Sequence, residues 1–496
     1  MSTQTLSKSR YISGCQCPLK LWYDCYRKEL AADIKDQQQA IFDVGHMVGR
    51  LACKRLPGGV LVEYDHTGTE QALRLTQQLV ADPAVPAIFE AAFLHDNVLI
   101  RTDMLERKDN NSWVLHEVKS STHVKPVYEA DVAVQHHVLK GAGMNVQASG
   151  LVTLDRGYVY DGERLDYDRL FKFHDLTDIS VDLEENVATN ITQFNMLIST
   201  DIEPHVEAGD HCYNPYECRY LAHCTRDCVT TEYPVTELPR ISKPKLQDLE
   251  QMGIADIRDV PADFPLTDKQ RRVWQTVVND REYVSEDLAD ELATVEFPVY
   301  YLDFEACNPA IPRYRGTRPF DAVPFQFSVH IEQQDGDVQH VEFLHTDNDD
   351  PREHLAEAMI DSLGDKGTIC VYSGYERRTI NDLIAHLPAC ADRLQALLDR
   401  LWDLNKVISD HYYHPEFHGS LSIKKVLPVL VPELSYSELE IQEGGAAARL
   451  YLEALDSEDD VFKNGIFTAL REYCGLDTLA MLKLRAALYD RATLSR

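Results

Sequence analysis

The alternation of apolar and polar positions is clearest between residues 97 and 119. NVLIRTDMLER alternates as a strand, RKDNN supplies turn residues, and WVLHEVK reads as a second strand, which predicts an antiparallel hairpin. Side chains two apart on a strand share a face, so Glu117 and Lys119 lie side by side at the end of the second strand, with Asp103 on its partner. The period then changes. In VYEADVAVQHHVLKGAG the apolar positions recur at helical spacing, Gly141 and Gly143 end the run, and Asp131 and Gln135, four apart, share a helix face.

A second pattern occupies the C-terminal part. FPVYYLDFEA at 297–306 is an apolar strand interrupted by Asp303 and Glu305, two apart on one face. Unpaired charge in a core costs several kcal/mol, so two acids on a buried strand point to coordination. TICVYSGYERR reads as a strand ending at Tyr375-Glu376, and LREYCGLDTLAMLKL as a helix with Tyr473 and Asp477 one turn apart. Between these regions the prolines return and the cysteines stop. There, two short helical patterns flank Met252-Gly253-Ile254, as either a helix-hairpin-helix element or a small packing linker. The expected division is 1–228, a helical connector at 229–296, and 297–496.

The length of 496 residues agrees with more than one domain, since a single core rarely organises so long a chain. No run approaches the ~18 apolar residues of a membrane span, and MSTQTLSKSRYIS lacks the apolar core of a signal peptide. The expected compartment is the cytoplasm, with no membrane partner. A net charge of -32 argues against coating nucleic acid by bulk electrostatics, but not against an enzyme that meets phosphate through bound cations and a local basic strip. Without an export signal, the twelve cysteines are expected to be reduced. Cys212, Cys218, Cys224 and Cys228 crowd together, as do Cys15, Cys17 and Cys25 near the start.

Two acids and an amine at one sheet edge suit a metal-and-water site: carboxylates hold Mg or Mn, and an amine orients water or stabilises charge on a phosphate. The order Asp103, Glu117-x-Lys119, then Gln135 on a helix resembles the RecB-type PD-(D/E)XK nucleases, which implies a restriction-endonuclease-like α/β domain. Cys17 with Cys212-x5-Cys218-x5-Cys224 brackets these motifs, similar to the iron-sulfur RecB-like nucleases of helicase-nuclease complexes and CRISPR adaptation. That resemblance implies a 4Fe-4S cluster stapling the two ends of the domain, and a helicase as a candidate partner. Zinc is the alternative that four thiolates allow, and Cys15 and Cys228 are rival ligands. The family's metal-binding His follows a Gly by four residues, where FDVGHMVGRLA has Gly49. His46 is therefore a candidate divalent-metal ligand, or else a surface or packing histidine. Leu139 stands where the helix motif often ends in Tyr, and Glu90 in IFEAAF is a further candidate carboxylate or a helix residue.

DxE on one strand, an acid after a later strand and YxxxD on a late helix resemble the DnaQ-like, DEDD-type exonucleases of the RNase H-like fold. The resemblance implies an RNase H-like α/β domain in which Asp303, Glu305, Glu376 and Asp477 hold two Mg or Mn ions and Tyr473 orients water. Glu376 departs from the usual Asp, and one CH2 shifts a ligand by about 1 Å, enough to impair chemistry. Asp403 in RLWDLNKV is its rival. Arg313, Arg315, Arg318, Lys424 and Lys425 are candidate contacts to a nucleic-acid strand or solvated loop charges. Nearly end to end, the chain is similar to a bacterial domain-of-unknown-function family that fuses these two domains. The expected function is a metal-dependent DNA nuclease acting on single strands or ends, in repair, recombination or defence. The alternatives are RNA processing, and a nucleic-acid-binding scaffold with one or both sites inactive; Lys119 and Tyr473 count against the scaffold, since metal binding alone needs neither.

Overall fold

The structure, a computed structural model, describes residues 4–63, 68–228 and 231–494. It is a mixed α/β protein of two compact units. One runs to Cys228 and includes Pro309–Asp321; the other comprises Val229–Asn308 and Ala322–Arg496. Two segments therefore fall differently from the sequence division. The 229–296 stretch is part of the second unit. Pro309–Asp321, from within the expected C-terminal domain, packs into the first, because its apolar residues find partners there. Ala310 is buried with Val48, Phe89, Leu154 and Tyr158, and backbone bonds join Tyr160 N to Thr317 O (3.0 Å) and Gly316 N to Tyr160 O (2.8 Å). That loop has no periodicity from which this packing could be read.

The first unit is built on strands β1 (Ala87–His95), β2 (Val98–Lys108), β3 (Ser112–Val118), β4 (Val146–Leu154) and β5 (Phe171–Asp175), hydrogen-bonded in that order. The first three are antiparallel, β4 is parallel to β3, and β5 is antiparallel to β4. Two-residue strands at Val60–Leu61 and Leu6–Ser7 pair with β1 and β2. Its principal helices are α1 (Lys8–Gln16), α2 (Pro18–Tyr26), α3 (Asp36–Ala52), α4 (Thr69–Ala81), α5 (Pro126–Gly141) and α6 (Glu184–Ile198). A parallel neighbour requires a crossover, and α5 supplies it between β3 and β4. Pro126 is pre-organised for the first helical turn, and Val132, Val138 and Leu139 are buried in a core shared with Leu115, Leu151 and Ile191. IFEAAF is strand rather than helix: apolar residues from β1 pack against α4 and α5, and Glu90 takes a left-handed φ of 56°.

The second unit has a sheet ordered β8-β7-β6-β9-β10, from β6 (Val299–Cys307), β7 (Val323–Glu332), β8 (Val338–Leu344), β9 (Thr368–Val371) and β10 (Leu401–Asp403). β6, β7 and β8 are antiparallel neighbours, while β9 and β10 continue parallel to β6. Its functional side chains also come from α7 (Tyr375–His386), α8 (Ile423–Leu430) and the 35-residue α9 (Asp460–Leu494). Two sequence expectations are corrected here. The strand before Glu376 stops at Val371, and Tyr375 opens α7 because Ser373 Oγ accepts the Tyr375 N–H (3.1 Å) and Gly374 forms the cap. Glu376 thus lies in a helical first turn, where the dipole favours an acid. In the 229–296 stretch a helix forms at Lys243–Gln251 and ends at Gly253 (φ 72°), but Ile257–Asp259 is a single 3-10 turn. Pro261 follows, and the next helix of the stretch is Asp268–Val278, capped by Thr267. Among the described residues, no helix is long and apolar enough to cross a membrane.

Candidate active sites

In the first unit, β2 and β3 pair with Met104 opposite His116, which sets Asp103 beside the end of β3. Asp103 Oδ2 accepts the Val118 N–H at 2.7 Å. Glu117 is fully buried, and both of its oxygens are engaged: Oε1 accepts from Lys119 Nζ (2.6 Å) and Lys8 Nζ (2.8 Å), and Oε2 from Gln135 Nε2 (2.8 Å). Lys119 also donates to Asp131 Oδ2 at 2.6 Å. Three acids, Asp103, Glu117 and Asp131, thus face two amines in a buried site. Burial works against the Glu117 carboxylate, but Lys119 and Lys8 outweigh it and hold its pKa well below the usual range. Asp103 is pushed up to about 7 by burial and by the Glu117 charge. It is the acid whose charge is least compensated.

Lys8 and Asp131 were outside the expected site set. Asp131 carried a signal in sharing a helix face with Gln135. Lys8 carried none, since it arrives on the first residue of α1 from a polar N-terminal stretch. Glu90 lies between the Phe89–Met104 and Ala91–Thr102 pairs, across the strands from Asp103, and burial, then the Asp103 and Glu90 charges, push the Cys53 thiol up to about 11. Its carboxylate pairs with Arg101 at 2.7 Å. His46 is exposed on α3, and neither it nor the Asp103–Glu117 pair belongs to a group of three potential metal ligands within 4.8 Å among the described residues.

In the second unit, Asp303 and Glu305 project from β6 toward α9, which contributes Tyr473 and Asp477. Asp303, Glu305 and Asp477 offer oxygens that all lie within 4.8 Å of one another. Glu376 lies close enough to Asp303 for its charge to help raise the Asp303 pKa, and its Oε2 is buried without a hydrogen-bond partner. Burial and mutual repulsion raise these carboxyls: Asp303 well above its normal range, Glu305 to about 8 through burial and the Asp477 charge. Burial takes Glu376 to about 7 and Asp477 to about 6. Four acids gathered where desolvation penalises charge are the arrangement a divalent cation stabilises.

Two residues at this site were missed or misplaced. Tyr436 OH donates to Asp477 Oδ1 at 2.5 Å and fixes its orientation. Lys424, expected as an outlying strand contact, instead donates to Tyr473 OH (3.1 Å) and to Gln442 O (2.5 Å), and its charge lowers the Glu305 and Asp477 pKa values against the larger effect of burial. Asp403 ends β10 and caps the next helix by accepting the Lys406 N–H at 3.2 Å. Its charge nevertheless reaches Glu376. Removing the Tyr436 hydroxyl in Tyr436→Phe should weaken Mn2+ binding at this site about tenfold, the usual cost of losing a partner of a metal ligand. An EPR titration of free Mn2+ against wild-type and variant protein reads that shift.

Cys17, Cys212, Cys218 and Cys224 line one cavity with Lys20, Tyr23, His211 and Tyr220, and none is disulfide-bonded. Cys17 sits at the junction of α1 and α2, and Cys218 N donates to Cys212 O at 2.7 Å. Neither rival is among the residues lining this cavity: Cys15 is exposed and receives Asn190 Nδ2 at 3.9 Å, and Cys228 is exposed at a bend. Single tetrahedral zinc with Zn–S bonds of about 2.3 Å holds sulfurs roughly 3.8 Å apart. Among the described residues, no three cysteine sulfurs lie within 4.8 Å of one another. Any three of these thiols therefore include a pair farther apart than a single zinc would hold them.

The basic residues divide between the units. Arg315 and Arg318 are exposed and Arg313 partly so in the loop held by the first unit, with Arg315 against Gly162; Lys425 is exposed on α8 of the second. A family model described as a domain of unknown function (DUF2779) matches residues 300–422, which include Asp303, Glu305, Glu376 and Asp403 but end before Lys424, Tyr473 and Asp477. No curated protein and no solved structure matches the chain.

Proposed function

We propose that the chain is a metal-dependent nuclease with two phosphodiester-hydrolysing sites, one in a RecB-like PD-(D/E)XK unit stapled by an iron-sulfur cluster and one in a DnaQ-like, RNase H-like unit. The observation that carries this reading is the buried convergence of Asp303, Glu305, Asp477 and Glu376 from a strand and two helices. The strand order β8-β7-β6-β9-β10, with three antiparallel neighbours followed by two parallel ones, supports an RNase H-like fold. In the first unit, three antiparallel strands, a crossover helix and a parallel fourth strand support the PD-(D/E)XK reading.

Divalent cations, when bound, supply positive charge at the scissile phosphate and lower the pKa of water. Asp303, Glu305 and Asp477 would hold them in the second unit, with Glu376 beside Asp303 and Tyr436 orienting Asp477. Tyr473, held by Lys424, positions the attacking water. In the first unit Asp103 and Glu117 would hold the cation. Lys119 keeps Glu117 ionised and offers its amine to charge developing on the phosphate, while Gln135 fixes the far oxygen of Glu117. The preferred substrate is DNA. Protein purified anaerobically should cut end-labelled single- or double-stranded DNA with Mg2+ or Mn2+, and EDTA should abolish the cutting. Cleavage of RNA alone would move the substrate to RNA, and no cleavage of either polymer would leave a binding scaffold.

The cysteine cavity makes a separate prediction. Anaerobic protein should be brown, with about four irons per chain, as a 4Fe-4S cluster requires. Cys218→Ser should make the first unit susceptible to protease while the second stays resistant. Colourless protein with one stoichiometric zinc would overturn the iron assignment and keep the staple.

A further inference from the structure

Opposite the face of α5 that carries Asp131 and Gln135, the helix meets the β1–β2 turn. There His95, Asp96 and His137 offer ligand atoms that all lie within 4.8 Å of one another. His95 Nε2 is 3.3 Å and His137 Nε2 is 3.5 Å from Asp96 Oδ2. Both separations exceed the ~2.9 Å of a good N–H···O bond. They match the roughly 3.3 Å between neighbouring ligand atoms around a tetrahedral ion with bonds of about 2.05 Å.

Two further observations point to a ligand. Both ring nitrogens of His137 are buried without a hydrogen-bond partner, an arrangement a protein rarely leaves uncompensated. A Cβ on Gly141 would fall 1.9 Å from the His95 ring, so glycine at the end of α5 is what lets that imidazole lie against the helix. Gly141 has no positive φ to account for it. The turn itself is fixed. Asp96 and Asn97 hold left-handed φ values of 47° and 60°, Asn195 Nδ2 donates to Asp96 O at 2.9 Å, and Asn97 Nδ2 donates to Asn195 Oδ1 at 2.7 Å.

We propose that His95, Asp96 and His137 form a binding site for a zinc-class divalent ion that clamps the β1–β2 turn to α5. Two imidazoles and one carboxylate suit zinc and its neighbours, whereas Mg2+ prefers oxygen ligands throughout. Asp96 is half exposed, which leaves the solvent side open to a water as fourth ligand. The clamp does not depend on nuclease activity. Its effect falls on α5, the helix that brings Asp131 and Gln135 to Glu117.

The test uses the full chain, purified anaerobically and kept in excess Mg2+ so that the oxygen-rich sites are saturated. Zinc is added, unbound metal is removed by gel filtration, and zinc per chain is counted for wild type, Asp96→Gly and His137→Gln. Glycine accepts the left-handed turn without strain, so Asp96→Gly removes the ligand and keeps the fold. Wild type should retain one zinc more than either variant, and zinc should raise its melting temperature but not that of Asp96→Gly. Equal zinc in wild type and Asp96→Gly would overturn the proposal, whatever His137→Gln does. An equal zinc-dependent rise in melting temperature in those two chains would also overturn it.

Discussion

Asp303→Asn should abolish mononucleotide release from a 3′ end, by at least about a thousandfold, and should at the same time make the metal-free chain more stable. The two effects have one origin. Asp303 shares its buried site with Glu305, Asp477 and Glu376, and burial together with their charges raises its pKa well above normal. Without a cation, each carboxylate is penalised by desolvation and by its neighbours. An amide of the same shape removes the cost of either holding that buried charge or protonating it, which should stabilise the metal-free protein by about 1–3 kcal/mol. The same change deletes a ligand from the group that would hold the ions, so the expected gain in stability accompanies loss of the chemistry. Thermal melts in EDTA and a 3′-end-labelled assay in Mn2+ measure the two. A variant that loses stability in EDTA would mean that these acids are structural.

Lys119→Ala should have the opposite stability sign and a large effect on its own site. Lys119 bridges Glu117 and Asp131 at 2.6 Å each and is three-quarters buried. Truncating it leaves two buried acids with Lys8 as the nearer cation, at 2.8 Å from Glu117 and 3.6 Å from Asp131. Breaking a buried pair from one side typically costs about 3–5 kcal/mol, and the remaining amine should reduce that to roughly 2 kcal/mol. Cutting that depends on the first unit should fall by about a hundredfold or more, the scale of losing one charge-stabilising group. Mg2+ or Mn2+ should still bind. Wild-type cutting by this variant would reduce Glu117 and Lys119 to a structural ion pair.

Much of both sites could be read from local pattern because neighbouring residues on one element supply it. Asp303 with Glu305, and Tyr473 with Asp477, follow from the two-residue and one-turn repeats of strand and helix. The Asp103 and Glu117 hairpin follows from alternation around a polar turn. Glu376 was in the expected set, but its element was misread, because Ser373 and Gly374 start a helix where the apolar run suggested a longer strand. Lys8 and Tyr436 were not legible. Each reaches its acid from a segment with no periodic relation to it, across 109 residues for Lys8 and Glu117 and 41 for Tyr436 and Asp477. The placement of Pro309–Asp321 depends on apolar contacts with Val48 and Tyr158 that no local rule anticipates. His95 and His137 likewise converge only because Gly141 leaves room for an imidazole.

The proposed independence of the two nuclease sites can be followed on one end-labelled DNA in Mn2+ with four anaerobically purified chains: wild type, Lys119→Ala, Asp303→Asn and the double variant. Asp303→Asn should lose 3′ mononucleotide release and keep the other cutting, Lys119→Ala should do the converse, and the double variant should leave the DNA intact. Loss of all cutting in each single variant would contradict that independence and indicate one coupled site; undiminished cutting in the double variant would contradict it too.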